Sequence, residues 1–163
     1  MNDSVIEQVA RQYNLSGWSE GLFRIDDRGR LCRDGVALSG ILDALRARGY
    51  DTPILLRFHD VLEARLQRLQ AAFDAARARH GYAADYAPVY PIKVNQQRSV
   101  VARLQAAGGG RLGLECGSKA ELLAVLAMSP PGGTVICNGY KDREYIRLAL
   151  AGRRLGLKPW IVV

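Results

Sequence analysis

The sequence predicts an α/β fold, the first part of a parallel sheet in which strands alternate with helices, and two observations support this. Strand-like apolar runs end near Lys93, Cys116, Asn138 and Val163, recurring about every two dozen residues, as consecutive βα units do. Each gap between the runs holds a helix-length segment with apolar residues at helical spacing. The spacing suits a closed barrel and an open doubly wound sheet equally well, so both arrangements stay open.

The composition favours a single globular domain in the cytoplasm. The chain has 163 residues, of which 48% are hydrophobic, enough for a sizeable core. No apolar run approaches the ~20 residues of a membrane span, and no secretory signal is recognisable. The three cysteines, Cys32, Cys116 and Cys137, form no C-x-x-C pair. We therefore expect reduced, mostly buried thiols, with no disulfide framework and no zinc site.

The net charge of +7 is compatible with a basic module that binds nucleic acid. The basic residues are scattered, however, and alternate with acids and alanines on predicted helical faces, as Arg65 and Arg77 do beside Glu63 and Asp74. This pattern is typical of a solvated surface. We expect neither a nucleic-acid nor a membrane partner, and the nucleic-acid-binding module remains the alternative from a different functional class.

The first third of the chain predicts small elements without catalytic groups. Residues Ser4 to Tyr13 have the apolar spacing of a short helix. Gly21 to Ile25 and Arg30 to Cys32 predict a hairpin whose turn contains Asp and Gly. Val36 to Arg48 predicts a second helix, ended by Gly49.

A strand and a long helix are predicted before the repeat begins. Ile54 to Phe58 is a short apolar run typical of a strand. Asp60 is expected to cap the long helix, with Glu63 completing a capping box. The inner stripe of this helix is predicted to consist of Val61, Leu62, Leu66, Leu69 and Phe73.

Two motifs within the repeat have structural explanations. Gly108 to Gly113 matches G-x-G-x-x-G, but these glycines follow a helix and precede a strand, the reverse of a dinucleotide-binding unit. We interpret them as a loop. Ser118 and Glu121 fit a capping box at the start of the next helix.

The most informative stretch runs from Val89 to Asn95, an apolar run that contains a single lysine, Lys93, and predicts a buried strand. Burial disfavours an ammonium group, so this lysine needs either an outlet to solvent or a reason to be partly neutral, such as imine chemistry with an aldehyde cofactor. Pro91 cannot donate to a strand ladder, so the strand either bulges there or is short.

Three strings resemble one known family. Tyr90 to Arg98 (YPIKVNQQR) is similar to the cofactor-lysine segment of the biosynthetic arginine decarboxylases, pyridoxal-phosphate enzymes with an alanine-racemase-like barrel. Gly113 to Leu122 and Ile136 to Leu150 resemble the next two strand and helix units of that family. Ser99 and Cys116 depart from the family, which more often has His and Ala there.

The resemblance implies the first part of a (β/α)8 barrel of TIM type, with about four strands present. It assigns residues 1–58 to a region associated with a β domain and residues 59–163 to the first half of the barrel. A complete barrel takes about 250 residues, and the chain ends within the apolar run Trp160 to Val163. We therefore expect an N-terminal fragment that is inactive alone.

The resemblance also implies the site. Lys93 is expected to be the Schiff-base lysine that binds pyridoxal 5'-phosphate, and Mg²⁺ is implied as a second cofactor. Glu115 is expected to be a catalytic carboxylate near the imine, with a structural salt bridge as its alternative. Asn138 is expected to contact the cofactor, although an Asn before Gly139 also suits a turn. His59 and His80 lie outside these positions, so we expect surface or capping roles for them.

The implied activity is decarboxylation of L-arginine to agmatine and CO2 in polyamine and spermidine biosynthesis, by a homo-oligomer when full length. The Gln96-Gln97-Arg98 tail and the long N-terminal extension favour arginine. Ornithine and lysine remain alternative substrates.

Overall fold

The computed structural model describes residues 3–163 and divides into two compact units, one up to Leu56 and one from Arg57 onward. The first unit contains a small antiparallel sheet, and the second contains a parallel sheet with helices. The helices of the first unit are α1 (Asp3–Gln12), α2 (Leu15–Ser19) and α3 (Leu38–Arg46).

The predicted hairpin of the first unit is confirmed. Strands β1 (Arg24–Ile25) and β2 (Leu31–Arg33) pair antiparallel, with Arg24 opposite Cys32. The sequence did not predict β3 (Val36–Ala37), which pairs with β2 and delays the helix that we expected from Val36. The reason is the turn at Asp34 and Gly35, both with positive φ, which folds the chain back onto β2.

Asp26 organises the hairpin turn through its carboxylate. One oxygen, Oδ1, accepts from the backbone amides of Arg28 at 3.1 Å and Arg30 at 2.8 Å, and Oδ2 accepts from Arg30 Nε at 2.8 Å. The Arg30 amide, helped by its guanidinium, lowers the pKa of Asp26 to about 2. The carboxylate is therefore ionised throughout the physiological range.

We expect Asp26→Asn to lower the unfolding midpoint of the first unit in a pH-dependent way. Because the folded pKa lies below the unfolded value of about 3.9, the stabilisation is fully present above about pH 5 and disappears as the pH falls towards about 2. Urea unfolding of the wild type and of Asp26→Asn between about pH 2 and pH 5 measures the difference in stability. The exposed Asp51 provides the control Asp51→Asn, and a wild-type advantage over Asp26→Asn that does not change with pH would contradict the prediction.

The strand predicted from Ile54 to Phe58 is not present. This segment is irregular and leads directly into α4 (His59–His80). A strand needs a neighbour that completes its hydrogen bonds, and no described strand pairs with this segment. Leu55 is 76% exposed, so the apolar composition of this segment was not a sign of a buried strand.

Helix α4 begins two residues earlier than predicted, with Phe58 instead of Asp60 at the N-cap position and no side-chain cap. The predicted capping box from Asp60 to Glu63 is therefore wrong, and Asp60 lies in the first turn. The predicted inner stripe is right in part. Leu66 is buried, as is Gln70, whose Nε2 donates to the Gly108 carbonyl at 3.3 Å, whereas Leu62, Leu69 and Phe73 are exposed.

The second unit contains the predicted parallel sheet. Its strands pair in the order β4-β5-β6-β7, all parallel, and each consecutive pair is joined by one helix. The strands are β4 (Val89–Pro91), β5 (Gly113–Cys116), β6 (Thr134–Cys137) and β7 (Lys158–Ile161), and the connecting helices are α5 (Arg98–Ala107), α6 (Lys119–Met128) and α7 (Arg143–Arg154).

The strand order decides between the two arrangements that the spacing left open. Each connection leads to the next strand in the same direction, and such crossovers are right-handed, so the helices lie on one face of the sheet. A doubly wound sheet reverses its order to place helices on both faces. The second unit therefore has the winding of a (β/α) barrel.

The core lies between this sheet and its helices. Leu114 and Cys116 of β5 and Val135 and Cys137 of β6 are each at most 1% exposed. Because neighbouring residues alternate between faces, the residues between them face away from the helices. That second face includes Glu115 and Ile136, both half-buried, and Trp160, which is exposed.

The glycine-rich motif is confirmed as a loop. Gly108 follows the last residue of α5, and Gly113 begins β5. No helix begins at these glycines, so they do not form the phosphate-binding turn of a dinucleotide site.

Candidate functional site

Lys93 lies just beyond the carboxyl end of β4, in a short turn. The predicted strand was too long, because β4 ends at Pro91 and Ile92–Val94 form a 3₁₀ turn. The proline lacks the amide that a longer ladder would use. Ile92 is 1% exposed and anchors the turn in the core, whereas Val94 is 69% exposed.

The sequence left two alternatives for Lys93, a side chain that reaches solvent or a buried and partly neutral amine, and the structure shows the first. Lys93 is exposed, and no described residue forms a hydrogen bond or ion pair with its amine. An exposed, uncommitted primary amine is accessible to a carbonyl compound. Such an amine fits the covalent attachment of an aldehyde cofactor.

Glu115 lies on the neighbouring strand, in register with Pro91 on one side and Ile136 on the other. Its side chain is half-buried on the sheet face that α5, α6 and α7 leave uncovered. Among the described residues none forms a salt bridge with Glu115. The alternative interpretation, in which Glu115 forms a structural salt bridge, therefore finds no partner among these residues. The carboxylate can therefore act on a group bound at this face.

Asn138 directly follows β6, at the same edge as Lys93. Its backbone amide donates to the Cys116 carbonyl at 3.0 Å, and its side chain is exposed. The next residue, Gly139, comes so close to Gly117 that a Cβ at position 139 would lie 1.8 Å from the Gly117 oxygen. Tight backbone packing therefore holds Asn138 in place.

The loops at this edge are closed by helix caps. The predicted capping box is confirmed in part. Ser118 Oγ accepts from the Glu121 amide at 3.2 Å, whereas the Glu121 carboxylate accepts from the Gly117 amide, at 2.7 Å, and not from the amide of Ser118. Sequence reasoning missed a second cap, Asp142, which accepts from the Tyr145 amide at 2.8 Å. An Asp before the helical segment that starts at Arg143 was the available signal.

Asp142 also receives a bond from Lys119, with Nζ 2.5 Å from Oδ2. This contact, together with the Tyr145 amide, lowers the pKa of Asp142. The ion pair joins the first residue of α6 to the N-cap residue of α7. It thereby stabilises the edge that carries the candidate residues.

All three cysteines are free and buried, as predicted. Two of them, Cys116 and Cys137, lie on the face of the parallel sheet opposite Glu115. Cys116 and Cys137 are in register on adjacent strands, and Tyr145 Oη donates to the Cys116 carbonyl at 2.7 Å. The contact with Cys137 and burial raise the pKa of Cys116, which keeps this thiol protonated. These groups support the core and are separated by the sheet from Glu115.

The two histidines lie at the ends of α4. His59 is its first residue and half-buried, and His80 is its last residue and exposed. In the described part of the chain, no cluster of three or more His, Cys, Asp or Glu is suited to hold a metal ion. No described helix has the length and apolar character needed to cross a membrane.

The chain matches a known protein family and several known proteins. Residues 62–154 match the family described as pyridoxal-dependent decarboxylase, pyridoxal binding domain. A biosynthetic arginine decarboxylase from Xanthomonas campestris is 51% identical over 100% of this chain and 27% of its own length. One from Xylella fastidiosa is 52% identical over 94% of this chain and 26% of its own length.

A solved structure is also similar. The biosynthetic arginine decarboxylase SpeA from Campylobacter jejuni matches with a TM-score of 0.86 and 34% identity, over 93% of this chain and 26% of the other. The chain thus spans about a quarter of the length of the relatives that it matches.

Proposed function

Because the chain belongs to the family of pyridoxal-dependent decarboxylases, whose pyridoxal-binding domain it matches, we propose that the native protein containing it decarboxylates L-arginine to agmatine and CO2. The arginine decarboxylases that are about half identical to it support this choice of substrate. The structural observation that carries the proposal is the exposed Lys93 amine at the carboxyl edge of a parallel sheet. This is the edge where enzymes of barrel winding place their active sites.

Lys93 is the residue that would hold pyridoxal phosphate, through a covalent bond from its Nζ atom. The bound cofactor supplies an electron-withdrawing ring that stabilises the carbon left when CO2 departs. The turn that contains Lys93 is anchored by the buried Ile92, so the backbone of Lys93 is fixed while its side-chain amine can move. It can bind the cofactor and yield its place to a substrate amine.

Glu115 is proposed as the carboxylate that acts on this linkage. A negative charge near Nζ of Lys93 favours the protonated form of that nitrogen. The half-buried position of Glu115 strengthens this effect, because water screens the charge less there. Glu115 would thus hold a proton at Nζ and orient the group attached to it.

Asn138 is proposed as a cofactor contact. Its exposed amide carries both a donor and an acceptor, and its backbone is held by the bond to Cys116 and by the close approach of Gly139 to Gly117. A rigidly held amide can orient a polar ring substituent without losing much conformational entropy.

The proposal extends to the surroundings of the site. Residues 1–58 would associate with a β domain, and residues 59–163 would form the first half of the barrel. The free, buried cysteines support a reducing compartment, the cytoplasm, and the family resemblance supports a homo-oligomer. Mg²⁺ is not included, because the described residues contain no suitable cluster of ligands.

The test is CO2 release by the intact native protein with arginine, ornithine and lysine as competing substrates. We expect kcat/KM for arginine to exceed the other two by at least about 100-fold, because a site built for a guanidinium rejects amines that leave its polar groups unpaired. Faster turnover of ornithine or lysine would reassign the substrate. An absence of turnover, combined with steeply salt-dependent retention on a polyanion column, would favour the nucleic-acid-binding module.

A further inference from the structure

A tyrosine closes the turn that contains Lys93. Tyr90 Oη donates to the backbone carbonyl of Asn95 at 3.2 Å, so strand β4 is joined to the residue that follows the turn. Asn95 continues the connection, since its Oδ1 accepts from the Gln97 amide at 2.9 Å, and Gln97 is the N-cap residue of α5. The turn is therefore tied both to the end of β4 and to the start of the next helix.

We infer that Tyr90 is a positioning residue for Lys93: its hydroxyl bond to the Asn95 carbonyl holds the turn in the conformation that directs the Lys93 amine towards the cofactor. This inference depends on the proposed function, in which Lys93 binds pyridoxal phosphate. Tyr90 itself touches neither substrate nor cofactor in this role and acts through the backbone of the turn.

The Tyr90 ring is well placed to act as a fixed point. It is half-buried and packs against both apolar clusters of the second unit, one around Leu114 and Leu122 and the other around Leu66 and Val100. Burial raises the pKa of the Tyr90 phenol, so the hydroxyl stays protonated and able to donate near neutral pH.

The turn needs such a contact because the strand ladder ends before it. The last pair between β4 and β5 is Pro91 with Glu115, so no further pair of the strand ladder holds the residues that follow. Ile92 is buried, but Lys93 and Val94 are exposed. The turn is thus held at its start by Ile92 and at its end by the Tyr90 bond, and loss of this bond would let Lys93 sample more orientations.

The experiment replaces Tyr90 in the intact native protein by Tyr90→Phe, which removes one oxygen atom and leaves the packed ring. The apoprotein is titrated with pyridoxal phosphate, and the absorbance band of the lysine-bound cofactor is followed. We expect the apparent Kd to rise about three- to tenfold, the value of one neutral hydrogen bond. The band should also titrate at lower pH, because a looser turn weakens the influence of Glu115 on Nζ.

The matched control is Tyr82→Phe, which removes the same atom from a tyrosine that is 65% exposed and should leave both readouts unchanged. Asn95→Ala removes the bond to Gln97 and is expected to shift both readouts in the same direction by less. A lower melting temperature for Tyr90→Phe with unchanged Kd and unchanged titration would assign it a structural role only and overturn the inference.

The attachment of the cofactor at Lys93 and the positioning role of Tyr90 are tested separately. Borohydride reduction followed by peptide mapping shows whether the wild-type protein forms a covalent adduct at Lys93. If the adduct forms and Tyr90→Phe behaves as wild type, the positioning role is refuted and the proposed function stands. If no adduct forms in the wild-type protein, the proposed function fails and the positioning role fails with it.

Discussion

Replacement of Lys93 by methionine in the intact native protein is expected to lower the proposed arginine decarboxylation by more than about 10³-fold, because it removes the proposed covalent attachment point of the cofactor. Methionine keeps a similar length and apolar stem but has no amine to bind the cofactor. Because Lys93 is exposed and unpaired among the described residues, its loss should leave the fold intact. Steady-state CO2 release and the absorbance of the lysine-bound cofactor measure the two consequences.

The control for this experiment is Lys158→Met. Lys158 begins β7 and is exposed, so it lies at the amino end of a strand, away from the edge that carries Lys93. This variant should retain wild-type activity and absorbance. Activity of Lys93→Met within tenfold of wild type would show that a different residue binds the cofactor.

Gly139→Ala is expected to destabilise the second unit by at least about 3 kcal/mol. The added Cβ would lie 1.8 Å from the Gly117 oxygen and 2.4 Å from its carbonyl carbon. Both are backbone atoms, so the contact cannot be relieved by rotating a side chain. The ends of β5 and β6 would have to separate, and the melting temperature and the soluble yield of the protein measure this change.

Two alanine variants make the comparison specific. Gly117→Ala meets its nearest neighbour, the Asn138 oxygen, at 3.2 Å, and should cost less because a shift of a few tenths of an ångström relieves it. Gly40→Ala, in the open on α3, should be neutral or stabilise by about 0.5–1 kcal/mol. If Gly139→Ala were tolerated as well as Gly40→Ala, the close approach of the two loops would be wrong.

Local patterns accounted for much of the fold. The hairpin around Asp26 was predictable because a carboxylate that binds its own turn needs no distant partner. The alternation of strands and helices after residue 88 was predictable because the spacing of apolar residues within each strand and helix is visible in the local sequence. The cap at Ser118 depended on residues only three positions apart.

The errors arose where an element depends on a neighbour that local sequence does not reveal. The apolar run from Ile54 to Phe58 looks like a strand, but no described strand pairs with it. The opposite error occurred at Val36 and Ala37, which form β3 only because the turn before them returns the chain to β2. Pro91 ended β4 early, although the apolar run continues beyond it.

The sequence by itself determined that Lys93, Glu115 and Asn138 lie at or near the carboxyl ends of successive strands, because strand period and spacing are local properties. Only the tertiary structure decided the sequential parallel strand order, the exposure of the Lys93 amine and the closure of its turn by Tyr90 and Asn95. Strand order, exposure and the hydrogen bond from Tyr90 to Asn95 all depend on which segments contact one another in the folded protein. Those contacts are set by packing over the whole unit, which no local pattern encodes.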